Sequence, residues 1–381
     1  MRVLSNAPDP RFGGPLQRSL SVARQLRPRG IDTVFLVPQG DDRFVKQARE
    51  NGFECSRIDQ PRIRSPRLIG ANARFLTGFA GCVRTAADHI DNYDIDIVHV
   101  NGPLNFAVAL AAARSDAALV WHFNDTLTPT PLRQLSATLA RRWADEIVVA
   151  ADAVADYFFD GSTPTTTLYA PVDVDQFDSK TIDVPAESLR AEFDIAPSAK
   201  VVGAVGNINP AKGHEFLIEA VAQLDSDAHL VLVGQILDSQ RSYYESLQQT
   251  IRELGIESRV TFTGWREDIP ELLSFFDLFV LASVTEACPI VVLEAMAMEC
   301  PIVATDVGGV RELLPGDEYG WVVPPENPTA ISTAIDDALN SESKSIRTAN
   351  AKSRVKNVFS LDACVQNHLD IYQSLHSPTD T

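Results

Sequence analysis

The chain has 381 residues, 45% of them hydrophobic, more than one ordinary core holds, so two domains are expected. No apolar run approaches the ~20 residues that span a bilayer, and a net charge of −18 argues against nucleic acid, whose phosphates call for a basic surface. Cys55, Cys82, Cys288, Cys300 and Cys364 are odd in number and lack metal-ligand spacing, which predicts no metal site and reduced thiols in a cytosol.

Apolar runs of strand length alternate with helical stretches along the whole chain, the pattern of α/β architecture with parallel sheets. In the first half the predicted strands are 2–5, 32–38, 97–101, 118–122 and 146–150. Gly13 and Gly14 stand between the first strand and a helix expected from Pro15 to Leu26. Glycines there let the backbone approach a phosphate, with a helix N-terminus aimed at it. The amino terminus shows no signal-peptide pattern, which predicts a cytoplasmic protein. Between residues 57 and 84 lie six arginines, Arg57, Arg62, Arg64, Arg67, Arg74 and Arg84, with a single acid, Asp59. Apolar residues are interleaved, giving the segment an amphipathic basic character. His99 and His122 each fall at or near the carboxyl end of a strand, where ligands of open α/β sheets bind.

A polar connection, 175–185, leads to a second series of strands at 201–205, 229–234, 259–263, 278–282, 302–305 and 320–323. The charge shifts with it. Residues 1–178 hold 19 Lys+Arg against 21 Asp+Glu, whereas 179–381 hold 14 against 30. Asp exceeds Glu and Arg exceeds Lys, a bias that resembles proteins of salt-adapted organisms, whose carboxylates keep the surface hydrated. Asn207 and Lys212 lie in NINPAKGHEF, just before an amphipathic helix. A cation at a helix start opposes the dipole, so Lys212 is expected to have another partner, for which a phosphate would serve. Trp265 and Arg266 follow a strand and a glycine. Glu286 and Glu294, separated by seven residues, straddle the start of a helix, with Pro289 expected at its first position. The Ile290 and Val291 amides would be free to meet an anion. Glu294 is the only carboxylate among apolar helix residues and should have a partner. A last helix is expected over 361–376.

These stretches together resemble the retaining glycosyltransferases of family 4. The resemblance rests on GG at 13–14, His122 in VWHFNDT, YAPVDVDQF at 169–177 and VGNINPAKGHEFLIEAVAQL at 205–224. It continues through FTGWREDIPELLSFFDLFVLAS, then SVTEACPIVVLEAMAMECPIVAT and TDVGGVRELL. It implies the GT-B fold, two Rossmann-like domains whose parallel sheets face a central cleft. The expected boundaries are 1–178 for an acceptor-binding domain and 179–360 for a nucleotide-sugar-binding domain, with 361–381 crossing back onto the first. It also implies a hexosyltransferase that needs no metal or resident cofactor, moving sugar from a UDP- or GDP-sugar to a saccharide or lipid-linked acceptor. In these terms Lys212 holds the diphosphate, with Gly13, Gly14, Ile290 and Val291, and Glu294 binds the ribose. Glu286 contacts the donor sugar, Trp265 and Arg266 lie by the base, and His122, less strongly His99, lies beside sugar and acceptor. The family usually has arginine where Asn207 stands, which leaves more charge to Lys212, with Arg266 as a candidate substitute. Relatives that meet membranes use the region of Arg62, Arg64 and Arg67, which implies contact with anionic lipid or a lipid pyrophosphate at the inner membrane face. Two alternatives share the fold: a nucleotide-sugar epimerase, and a sugar-nucleotide-binding protein without turnover.

Overall fold

The computed structural model describes residues 1–7, 9, 14–60, 69–183 and 186–376. They form two compact units, residues 1–170 with 361–381, and residues 171–360. The first unit ends ahead of the expected boundary at 178 because the connecting chain is already tied to the second. Val172 N–H donates to Phe359 O at 2.9 Å, and Lys352 Nζ donates to Asp178 at 3.0 Å.

Each unit holds one all-parallel sheet. The first comprises β1 (Arg2–Asn6), β2 (Asp32–Pro38), β3 (Cys55–Ile58), β4 (Ile97–Asn101), β5 (Ala118–Phe123), β6 (Glu146–Val149) and β7 (Thr166–Thr167), in the order β3-β2-β1-β4-β5-β6-β7. The second comprises β8 (Lys200–Val205), β9 (Ala228–Val233), β10 (Val260–Gly264), β11 (Leu278–Leu281), β12 (Ile302–Thr305) and β13 (Trp321–Val323), in the order β10-β9-β8-β11-β12-β13. Central strands such as β4, β9 and β12 are buried along their length, as parallel strands covered on both faces must be. The strand order reverses between β1 and β4 and again between β8 and β11. In this topology ligands bind beyond the carboxyl ends of the strands at such reversals.

The predicted strands are all present, with ends shifted by at most a residue. β3 and β7 were not expected. β3 is four residues long with Arg57 inside it, and β7 is two threonines, so neither shows an apolar run. The helix Leu361–His376 packs Cys364, Val365, Leu369, Ile371 and Tyr372 into the first unit's core, against Val3, Val22, Leu26, Ile97, Val120 and Val148. The second core centres on Val202, Leu217, Val221, Leu230, Leu232 and Val280.

Candidate functional site

In the second unit, two loops meet at the β8/β11 reversal. After β8 the chain makes a single 3-10 turn, Pro210–Lys212, then passes through Gly213 into the helix His214–Ala222. Gly213 has φ +60°, and a Cβ there would lie 2.1 Å from Ala282 O at the end of β11, so the loop can seat against β11 only with glycine. Val284 N–H donates to Ala211 O at 2.9 Å and binds the loops together.

This seating brings Lys212 to Glu286. Lys212 Nζ donates to Glu286 Oε1 at 2.6 Å, and the Ser283 hydroxyl donates to the same oxygen at 2.7 Å. Ser283, 1% exposed, is fixed in turn: its carbonyl accepts from Thr305 Oγ1 at 2.6 Å. Lys212 was expected to need a partner, and the folded chain supplies Glu286. From the other side the loop after β12 closes on Glu286. Gly309 N–H donates to Ala287 O at 2.9 Å, and a Cβ on Gly308, at φ +50°, would fall 1.9 Å from Glu286 O. Ser283, Thr305, Gly213 and Gly308 thus belong to the site. The sequence holds them inside its motifs, but nothing in their spacing shows which atoms they support.

The helix Ile290–Ala297 starts just beyond. Pro289 is its cap rather than its first residue, with ψ 102°. Among the described residues the Ile290 and Val291 amides have no hydrogen-bond acceptor, leaving the N-terminal turn open to an anion. Glu294 lies one turn in, flanked by the buried Val292, Leu293, Ala295 and Met296. Its carboxylate has no hydrogen-bond partner among the described residues, contrary to the expectation of one, and burial pushes its pKa up to about 7.

The remaining candidates are less uniform. Trp265 follows β10 and is 51% exposed, a free aromatic face. Arg266 beside it is bound by Asp268 and Glu192 and stacks over Phe193. Its guanidinium is thus shared between two carboxylates in the folded chain. Asn207 itself is exposed. Among the described residues no group of three or more His, Cys, Asp or Glu could hold a metal ion.

In the first unit Gly13 lies outside the described residues, and Gly14 opens the helix Gly14–Leu26. His99 and His122 do not project from the strand ends into open space. Asn101 of β4 pairs in register with His122 of β5, which places His99 and His122 on one sheet face. His122 is 0% exposed and His99 4%, and the rings lie 5.4 Å apart. Arg62, Arg64 and Arg67 lie outside the described residues. Arg57 is not part of a free basic face: it donates to the Pro38 and Asp41 carbonyls at 2.6 Å and pairs with Asp42. No helix among the described residues is long and apolar enough to cross a membrane.

Two family models match the chain in tandem, Glycosyltransferase Family 4 over residues 12–176 and Glycosyl transferases group 1 over residues 185–355. The chain belongs to the family 4 type of GT-B glycosyltransferases. Among curated relatives of this chain, the alpha-D-kanosaminyltransferase of Streptomyces kanamyceticus is 32% identical over 207 residues, 53% of this chain and 52% of that protein. A Campylobacter jejuni N-acetylgalactosaminyltransferase acting on a diphospho-undecaprenol-linked sugar is 31% identical over 179 residues, 46% of this chain and 47% of that one. The chain spans about half the length of these relatives. Among solved structures, Anabaena HepE in complex with UDP is 25% identical, with a TM-score of 0.80 over 98% of this chain and 100% of that one. A Rickettsia africae glycosyltransferase shares the fold, with a TM-score of 0.83 at 21% identity over 99% of both chains.

Proposed function

We propose that this glycosyltransferase moves a hexose from a nucleotide diphosphate sugar, a UDP- or GDP-sugar, to a saccharide or lipid-linked acceptor, with retention at the anomeric carbon and without a metal ion. The observation that carries the reading is the Lys212–Glu286 pair, set beside the open amides of Ile290 and Val291. The HepE complex with UDP adds support for a nucleotide.

A diphosphate entering this site competes with Glu286 for Lys212. Once Lys212 Nζ turns to phosphate, Glu286 is released to accept from hydroxyls of the donor sugar, still oriented by Ser283. Glu294, when ionised, accepts from the two ribose hydroxyls, and Trp265 offers a face to the base. As the bond from anomeric carbon to phosphate oxygen breaks, negative charge grows on the diphosphate, where Lys212 and the helix amides stabilise it. The acceptor hydroxyl attacks from the same face. Its oxygen bonds the anomeric carbon and its proton passes to the departing phosphate oxygen, so no carboxylate nucleophile is required. Asn207 offers only neutral hydrogen bonds, so Lys212 is the cation on which the reaction depends. The same substitution favours one alternative, binding of a nucleotide sugar without turnover.

Incubation with a panel of nucleotide sugars and native lipid extract, followed by mass spectrometry, should yield a glycosylated product. NMR of that product should show the donor's anomeric configuration, and EDTA should leave the rate unchanged. Lys212→Ala should weaken UDP or GDP binding in calorimetry by ~10- to 100-fold, the loss of a charge-assisted hydrogen bond, and should lower turnover as well. Unchanged kinetics in that variant would reject the assignment, and binding without any product would establish the alternative. The 57–84 segment is proposed to touch anionic lipid. Equal flotation with acidic liposomes by wild type and an Arg62→Ser, Arg64→Ser, Arg67→Ser variant would remove that idea.

A further inference from the structure

The first unit holds a cavity of about 20 Å³ between its sheet and two helices, Gly14–Leu26 and Leu361–His376. Sheet register decides which side chains reach it. Val3 pairs with Thr33 and Ser5 with His99, so Ser5, Thr33, His99 and, two residues on, Asn101 share one face. The helices add Arg18 from one side and His368 and Tyr372 from the other. Among the described residues no Asp or Glu lines the cavity, and Arg18 is the single formal charge on its wall. Burial, ahead of neighbouring charges, holds His99 well below the usual histidine range and lowers the His368 pKa to about 4, so both imidazoles are neutral. Burial likewise keeps Tyr372 a phenol.

A guanidinium cannot shed its charge in that way, because it keeps its proton at any working pH. Yet among the described residues Arg18, itself partly buried, has neither a hydrogen-bond acceptor nor a carboxylate in ion-pair range. Neutral donors around it are unsatisfied too. Ser5 and Thr33, the latter 5% exposed, have hydroxyls without a partner among the described residues. Asn101 Nδ2 donates to Asn6 O at 3.0 Å, which leaves its second N–H. Buried polar groups of native proteins rarely stay unpaired, and a charge withdrawn from water needs a counter-charge. The guest that fits must accept from several donors and be negative. Water meets only the first requirement, and a metal cation meets neither. We propose that the cavity binds a small monovalent anion of halide size, seated against Arg18, Ser5 and Thr33. Its volume admits one guest of roughly water size and excludes a sugar or a nucleotide, so the site is separate from that around Lys212. The ion neutralises Arg18 and ties the helix Gly14–Leu26 to the sheet beside the helix Leu361–His376.

Line broadening of the ³⁵Cl NMR signal by the full chain tests the site, with KCl exchanged for potassium gluconate at one ionic strength. Wild type should give excess width that saturates with chloride. Arg18→Gln should raise the half-saturating chloride concentration ~10- to 100-fold, the loss of a charge-assisted hydrogen bond, and Thr33→Val ~2- to 10-fold. Bromide should displace the chloride, whereas gluconate, too large for the cavity, should not. Crystals soaked in bromide should show anomalous density in the cavity beside Arg18. Broadening by Arg18→Gln that matches wild type would place the chloride elsewhere and overturn the proposal. Displacement by gluconate would do the same, since it would mean an open surface site. A cavity that holds only water in bromide-soaked crystals would also reject it. If Arg18→Gln does not fold, Thr33→Val and the wild-type crystals decide the matter.

Discussion

Glu294 shows how a single partly buried carboxylate ties ligand binding to stability. Its pKa is pushed from 4.5 up to about 7 by burial alone, with no cation or hydrogen bond to offset the loss of water. The folded protein therefore holds a proton there that the unfolded chain has released between pH 4.5 and 7. Stability from this group is full below the unfolded value and is lost as pH rises through the folded one. The whole shift is worth about 3 kcal/mol. Urea unfolding of wild type and Glu294→Gln at pH 4.5 and pH 8 isolates it. The glutamine variant, which has no proton to lose, should gain about 2–3 kcal/mol relative to wild type at the higher pH. A difference that does not change with pH would mean that Glu294 is already ionised in the fold. The same variant should bind nucleotide more weakly, since an amide replaces one acceptor oxygen of the carboxylate with a donor.

At the scale of elements, three loops at the ends of β8, β11 and β12 hold one another in place, and glycine is where they touch. Gly308→Ala adds a Cβ 1.9 Å from Glu286 O, so the Glu286 loop has to move. Gly255→Ala provides the control. Its φ of +66° is as strained for alanine, but nothing lies within 4 Å of the added Cβ. The control should lose about 1 kcal/mol of stability and keep its nucleotide affinity. Gly308→Ala should lose more stability and most of its affinity, as read by thermal unfolding and calorimetry. Equal behaviour of the two variants would show that the contact does not set the Glu286 loop. Much of the fold is legible in the sequence. The apolar runs of β2, β4 and β12 give those strands to the residue, and the apolar neighbours of Glu294 mark it as a partly buried acid. Convergence is what the sequence withholds. Lys212 and Glu286 are 74 positions apart and meet because β8 and β11 are adjacent, a fact of strand order rather than of spacing. The surroundings of His99, packed against His368 and Tyr372, depend likewise on a helix nearly at the other end of the chain.

Across the molecule, the acidic surplus falls almost wholly on residues 179–381, with 30 Asp+Glu against 14 Lys+Arg. Two of those cations are each shared between two acids: Lys352 between Asp178 and Glu299, and Arg266 between Asp268 and Glu192. Added salt weakens these attractions, but the unshared carboxylates outnumber the pairs, so the larger effect is relief of repulsion. Screening shortens from about 10 Å at 0.1 M to 3 Å at 1 M, less than the usual spacing of surface charges. The thermal midpoint should therefore rise by several degrees between 0.1 and 2 M KCl. Hydrogen exchange should place most of the gained protection in 179–360, with less in the near-neutral first unit. Low salt would then loosen the unit that carries Lys212, Glu286 and Glu294 before the other, so nucleotide affinity at low salt should fall in step with that protection. A midpoint that is flat or declining across the series would show that the shared ion pairs, and not self-repulsion, dominate the charge energetics of the fold.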